Sequence, residues 1–273
     1  MENSSNVDAV AANQTIANGA MRLLIALWRS PDRFKQTGAL NRQSRQFTNT
    51  PVKSAMDALA QGRSLSASGV DTYFACAEYL TPDSRKADNV AGAFAFWMDV
   101  DCGPNKSKDG KGYETLEDGR AAIKKFRTES GLPKPTHVVE SGSGLHVYWV
   151  LETFVDRSIW LVYAAKLKFI AQKFGFLADP TRTADCASVL RMPGTMNYKY
   201  VPPRPVSLVF ASMVYIANEV WFQAIDTAHE RLAKTHDLIV ASSFCTEIGA
   251  SLATSHWKCG QAILKGLLET QKF

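Results

Sequence analysis

The chain has 273 residues, of which 46% are hydrophobic and 21% charged, with Lys plus Arg at 31 against Asp plus Glu at 26 and a net charge of +5. These values are ordinary for a globular protein of one large domain, or of one domain with a small appendage. No apolar run reaches the roughly 18 residues of a membrane span. The polar opening from Met1 to Asn18 has no secretory pattern, so a cytoplasmic protein without membrane contact is expected. Mild basicity permits a polyanionic partner without requiring one.

Residues 8 to 29 carry Leu23, Leu24, Leu27 and Trp28 at helical spacing. Residues 30 to 50 place Arg33, Lys35, Arg42 and Arg45 among small polar residues and offer only Phe34, Leu40 and Phe47 for burial. That stretch reads as a basic loop or extended arm, followed by a short helix over 52 to 61. Val70–Leu80 leads through a polar link to Ala93–Val100, an apolar, aromatic-rich run that reads as a central strand. Gly103 to Gly112 is a loop. Residues 114 to 130 form a helix closed by Gly131 and Pro133. Thr136–Glu140 and Leu145–Leu151 flank Ser141-Gly142-Ser143-Gly144 and read as a hairpin. An amphipathic helix spans 156 to 175, Val206–Phe210 is a last strand, and the pattern after Asn218 is helical.

The five cysteines include no C-x-x-C pair, which argues for reduced thiols. Cys245, His256 and Cys259 are a weak zinc pattern, since no second ligand pair accompanies them.

In Phe96-Trp97-Met98-Asp99-Val100-Asp101 the two aspartates lie two apart on a strand and share one face, with Cα atoms roughly 6.5–7 Å apart. Paired carboxylates repel unless a cation lies between them, and magnesium or manganese suits oxygen donors. A strand that merely ends at a charged turn would look the same over these two residues. The Ser141–Gly144 turn and His146 can approach a phosphate with amides, hydroxyls and an imidazole, although no Gly-Lys-Ser/Thr follows as in a Walker A loop. A plain turn beside a surface histidine is the alternative there. Asp179, Asp185, Arg191, Asn197 and Lys199 fall within 21 positions. Asp179 follows an apolar stretch and can end a strand as a third carboxylate. Arg191 lies in an apolar context and needs either a phosphate or an internal partner such as Asp185.

These three segments resemble, in type and order, the archaeo-eukaryotic primase superfamily, over roughly residues 53 to 205. Asp99-Val100-Asp101 is similar to its paired metal-binding aspartates. Gly144-Leu145-His146 is similar to its small-x-His nucleotide motif. Asp179 through Lys199 is similar to its third motif, in a version seen in phage and plasmid primases. The resemblance implies an α+β fold in which a mixed α/β unit meets an RRM-like sheet and a small α-helical C-terminal unit follows. The corresponding divisions are an N-terminal helix and basic arm over 1–52, a catalytic core over 53–215 and a helical unit over 216–273.

It further implies a DNA primase or primase–polymerase of the nucleotidyltransferase class, with two Mg2+ or Mn2+ ions held by Asp99, Asp101 and Asp179. Asp185 is then a supporting carboxylate or the alternative third ligand. Ser141, Ser143, Gly144 and His146 would hold the incoming triphosphate, and Arg191 and Lys199 its outer phosphates or the template backbone. The implied partners are single-stranded DNA, NTPs or dNTPs, and a helicase on a separate domain or protein, since no ATPase motif is present. An Asp-x-Asp glycosyltransferase or metal nuclease, and a non-catalytic replication or origin-binding module, are the competing classes.

Overall fold

The computed structural model describes residues 19–234. The chain divides into two compact units, Met1–His229 and Glu230–Phe273. The second falls outside the described residues except at 230–234, and the Cys245, His256 and Cys259 pattern lies outside them entirely. Among the described residues no helix is long and apolar enough to cross a membrane.

The first unit is α+β. Helix α1 is described over 19–27 and buries Leu23, Leu24 and Leu27. A four-stranded antiparallel sheet has the order β2-β1-β3-β8, with β1 Lys35–Asn41, β2 Gln46–Val52, β3 Asp71–Ala75 and β8 Val189–Arg191. Helix α2, Ala55–Ala67, starts on a Ser54 cap and outruns the short helix expected there. The second sheet has the order β4-β5-β7-β6-β10-β9. It contains β4 Glu78–Tyr79, β5 Val90–Asp101, β6 His137–Glu140, β7 Gly144–Asp156, β9 Thr195–Asn197 and β10 Arg204–Ala211.

The expected basic arm over 30 to 50 is instead the β1–β2 hairpin. Its inner strand buries Lys35, Gln36 and Thr37 rather than apolar residues. Burial is tolerable because each polar tip finds a partner. Lys35 Nζ donates to the carbonyl of Arg33 at 2.7 Å and lies 3.7 Å from Glu78. Gln36 donates to the Pro82 carbonyl at 2.7 Å, and Thr37 to Gln61 at 2.6 Å.

Strand β5 lies between β4 and β7 in the larger sheet and is buried on both faces from Val90 to Met98. Trp160 of helix α5, Arg157–Lys173, stacks on Phe96 and Trp97 at 5.4 and 4.6 Å. Trp221, on helix α7 at 218–234, meets Phe96 and Trp149 at 5.2 and 5.4 Å. The start of the C-terminal helical region, through Trp221, Ile225 and Ala228, is thus part of the core of the first unit. Buried indoles need a hydrogen-bond acceptor. Trp160 finds the Ala95 carbonyl and Trp97 the Arg182 carbonyl, both at 2.9 Å.

Helix α4, Leu116–Ser130, opens on a Thr115–Asp118 capping box and closes on Gly131 in the left-handed conformation. The loop at 103–112 contains one short helix, α3, Pro104–Lys108.

Candidate active site

The site forms where the apolar run of β5 stops. Only Asp99 and Asp101 at its end regain solvent, with side chains 25% and 31% exposed. On the neighbouring strand β7, Asp99 is in register with His146 and Asp101 with Gly144. Residue 144 must be glycine, because a Cβ there would fall 2.5 Å from the Val100 carbonyl oxygen. The preceding Gly142 has φ +86, which lets the chain turn back beneath Asn197 and Arg204. Asn197 Nδ2 donates to the Ser141 carbonyl at 2.8 Å and fixes the turn from the opposite side. The glycine-rich segment is therefore a braced hairpin turn beside the carboxylates.

The third segment reaches this place by a different route from the one expected. Asp179 does not end a strand. It is the N-cap of helix α6, Pro180–Ala184, because Pro180 cannot donate an amide and the Asp179 carboxylate accepts from the amides of Thr181 and Arg182. Its own backbone N–H donates to the Asp99 carbonyl at 2.7 Å. Asp185 turns elsewhere. It accepts from the Ala187 amide at 2.9 Å and lines a separate cavity with Arg85 and Lys86.

Two cavities meet at Asp101. One, of about 320 Å3, is lined by Asp99, Asp101, Ser141, Ser143, His146, Arg182, Arg191, Asn197 and Lys199, with Leu40, Phe47 and Tyr73 from the smaller sheet closing it. The other, of about 610 Å3, is lined by Asp101, Asp179, Lys106, Lys111 and Phe176. The structure thus gathers Asp99, Asp101, Ser141, Ser143, His146, Arg191 and Lys199 around one cavity, with Gly144 in register beside it. Asp179 opens on the adjoining one.

Sequence reasoning missed several residues here. Arg182 lies between the two candidate aspartates and could have been found by position. Tyr73 and Phe47, with ring centroids 5.6 Å apart, give no local signal, because β1, β2 and β3 are distant in sequence from the carboxylates. Lys106 stands 2.5 Å from Asp101.

Arg191 is held from inside, and its partner is Asp71 rather than Asp185. Its Nη1 donates to the fully buried Asp71 carboxylate at 2.8 Å, with Tyr73 beneath the guanidinium at 5.0 Å. The Tyr198 amide donates to the same Asp71 oxygen at 2.8 Å, and Arg42 lies 2.5 Å from the other. One end of Arg191 is therefore anchored while the residue still lines the cavity.

Burial, then repulsion from Asp101 and Asp179, pushes the Asp99 carboxyl up to about 7. His146, 3.8 Å from Asp99, is driven down to about 3 by burial and by Arg191, so its imidazole is neutral at physiological pH.

The rise at Asp99 has a stability consequence. Its carboxyl binds a proton more tightly when folded, so its contribution is fully present below the unfolded value near 4 and is lost as pH rises through about 7. Asp99→Asn is expected to be more stable than the parent protein at pH 8 in EDTA, by on the order of 1–2 kcal/mol given its partial solvent access. The difference should shrink at pH 5, and thermal unfolding at the two pH values checks it.

The donor chemistry fits divalent magnesium or manganese, since three carboxylates repel one another here and such ions favour oxygen ligands. As placed, no three His, Cys, Asp or Glu side chains among the described residues stand close enough to enclose an ion. Lys106 supplies the positive charge at Asp101 instead.

No protein-family model matches the chain. A replication protein of Clostridium perfringens is 22% identical over 141 residues, covering 51% of this chain and 32% of that protein. The matched segment thus spans about a third of the relative's length. Among solved structures, the AEP domain of the cyanophage S-2L primase–polymerase (PrimPol) superposes with a TM-score of 0.56 at 17% identity, covering 78% of this chain and 97% of that one. The primase RepB′ gives 0.51 at 17% identity, over 87% of this chain and 68% of that one. Its catalytic domain in complex with initiator DNA gives 0.52 at 16% identity, over 82% and 98%. With its two antiparallel sheets meeting at the paired aspartates, the described chain has the fold of an archaeo-eukaryotic primase catalytic domain.

Proposed function

We propose that this chain is a template-directed nucleotidyltransferase, a DNA primase or primase–polymerase acting on single-stranded DNA. One observation carries the reading. Two aspartates at the end of a buried strand, tied through the Asp99 carbonyl to a third, open onto a cavity rimmed by serines and basic side chains. That combination suits a triphosphate held against a carboxylate-bound metal pair.

Ser141 and Ser143 would donate to the triphosphate, and Arg191 and Lys199 would neutralise its outer phosphates. Arg191 suits this role because Asp71 fixes its direction before substrate arrives, so little order is lost on binding. Neutral His146 can donate one hydrogen bond without adding charge beside Asp99. The second cavity, on the Asp179 side of Asp101, would receive the primer end or an initiating nucleotide. In the reaction a 3′-oxygen bonds to the α-phosphorus, the α–β phosphoanhydride breaks, pyrophosphate leaves and the hydroxyl proton passes to water. Asp99, Asp101 and Asp179 would hold two divalent ions, which lower the pKa of the attacking hydroxyl and offset charge at the α-phosphate.

Incubating the protein with single-stranded DNA and separate NTP or dNTP pools, in magnesium and then in manganese, tests the proposal. Short products that need both template and metal are the expected result. Sugar transfer, DNA cleavage, or metal-independent DNA binding with no synthesis under any condition would overturn it.

A further inference from the structure

A cavity of about 670 Å3 lies outside the carboxylate site, between helix α4 and strands β6 and β10. Arg120, Lys124 and Arg127 recur on α4 at intervals of four and three, so they share one helical face, and all three are exposed. Lys134 faces them from the loop before β6. Lys124, Arg127 and Lys134 form no ion pair among the described residues, whereas Arg120 is bonded to Glu140. The lining therefore holds four cations and one carboxylate.

The floor is apolar, and its construction is specific. Neighbours on a regular strand point to opposite faces. Here the register between β10 and β6 slips between Leu208 and Phe210, so Val209 is a bulge. Both Val209 and Phe210 consequently line the same cavity. The Lys134 ammonium lies 4.3 Å from the centre of the Phe210 ring. Glu140, which ends β6 at the groove's edge, is followed directly by Ser141 of the catalytic cavity, so the two are adjacent along the chain.

We infer that this groove is a second binding surface for single-stranded DNA, holding template outside the catalytic cavity. A row of cations, three of them without an ion pair among the described residues, beside a half-buried ring matches a phosphodiester backbone with unstacked bases, whereas an apolar peptide would leave those charges unmet. The occupant named here rests on the template-directed reading above, but its test does not.

The measurement is anisotropy of a labelled oligothymidylate with the full chain in EDTA, without nucleotides, across a salt series. Lys124→Glu combined with Lys134→Glu should weaken binding about tenfold or more and lower the salt slope by roughly 1.4, the loss of two phosphate contacts on a single strand. Phe210→Ala should weaken binding roughly fivefold or more with the slope unchanged, since stacking is not ionic. Lys125→Glu combined with Lys173→Glu alters net charge equally outside the groove and should leave affinity nearly unchanged. Equal weakening by both lysine pairs, or unchanged binding in the groove variants, would overturn the inference. Absent synthesis with groove-dependent binding would sink the transferase reading alone. Normal synthesis with groove-independent binding would sink the groove alone.

Discussion

Asp101→Ala is expected to lower template-directed nucleotide incorporation by at least about a thousandfold, because the site loses a carboxylate on which the proposed metal pair depends. The fold should survive. Asp101 is 31% exposed, and the partner it leaves, Lys106, is 37% exposed, so only a surface ion pair worth about 0–1 kcal/mol disappears. Asp99→Ala should be equally inactive, yet no less stable in EDTA at pH 8, since it removes a carboxylate that burial and two like charges disfavour. Primer extension together with thermal unfolding separates the two effects. Full activity in both variants would refute the assignment of the pair, and loss of activity with loss of fold in both would make their role structural.

A second large effect is expected at a residue remote from the chemistry. Asp71 is fully buried and neutralises Arg191 while Arg42 closes over it. Asp71→Ala would leave Arg191, with 13% of its side chain exposed, beside no counter-charge. Removing one partner of such a buried pair costs about 3–5 kcal/mol. For a domain of this size that corresponds to a melting point lower by roughly 6–20 °C. The Tyr198 amide would lose its acceptor as well, loosening the segment that carries Lys199. Asp71→Asn keeps an acceptor for Tyr198 and should be the milder change. If Asp71→Ala melted within a degree of the parent protein, the anchoring of Arg191 would be disproved.

These two predictions differ in how far sequence alone leads to them. The aspartate pair is legible because strand alternation is a local rule. An apolar run that ends in Asp-x-Asp must present both carboxylates on one face, and the structure puts β5 inside its sheet, between β4 and β7, with both aspartates at the strand's end. The turn at Ser141–Gly144 and helix α4 were legible for the same reason, since glycine and cap chemistry act over a few residues.

Asp71 was not legible. It lies 120 positions from Arg191, whereas Asp185 lies six away and offered itself as the local partner. Sequence proximity favoured the wrong carboxylate, because strand pairing between β3 and β8 places Tyr73 opposite Arg191 and brings Asp71 alongside. The basic arm was misread on similar grounds. Its inner strand carries polar residues whose partners come from later in the chain: Gln61 and the Pro82 carbonyl by hydrogen bonds, and Glu78 as the counter-charge of Lys35.

The amino-acid sequence by itself therefore determined the carboxylate pair, the glycine turn with His146 and the order of the motif-bearing segments. Each depends on backbone periodicity or on conformations that glycine and proline permit. Tertiary structure decided which carboxylate anchors Arg191, that Asp179 enters as a helix cap joined to Asp99, and that Asp185 faces another cavity. It also decided that Phe47 and Tyr73 close the site. Those outcomes follow from contacts between strands far apart in the chain, where burial and charge pairing outweigh any local signal.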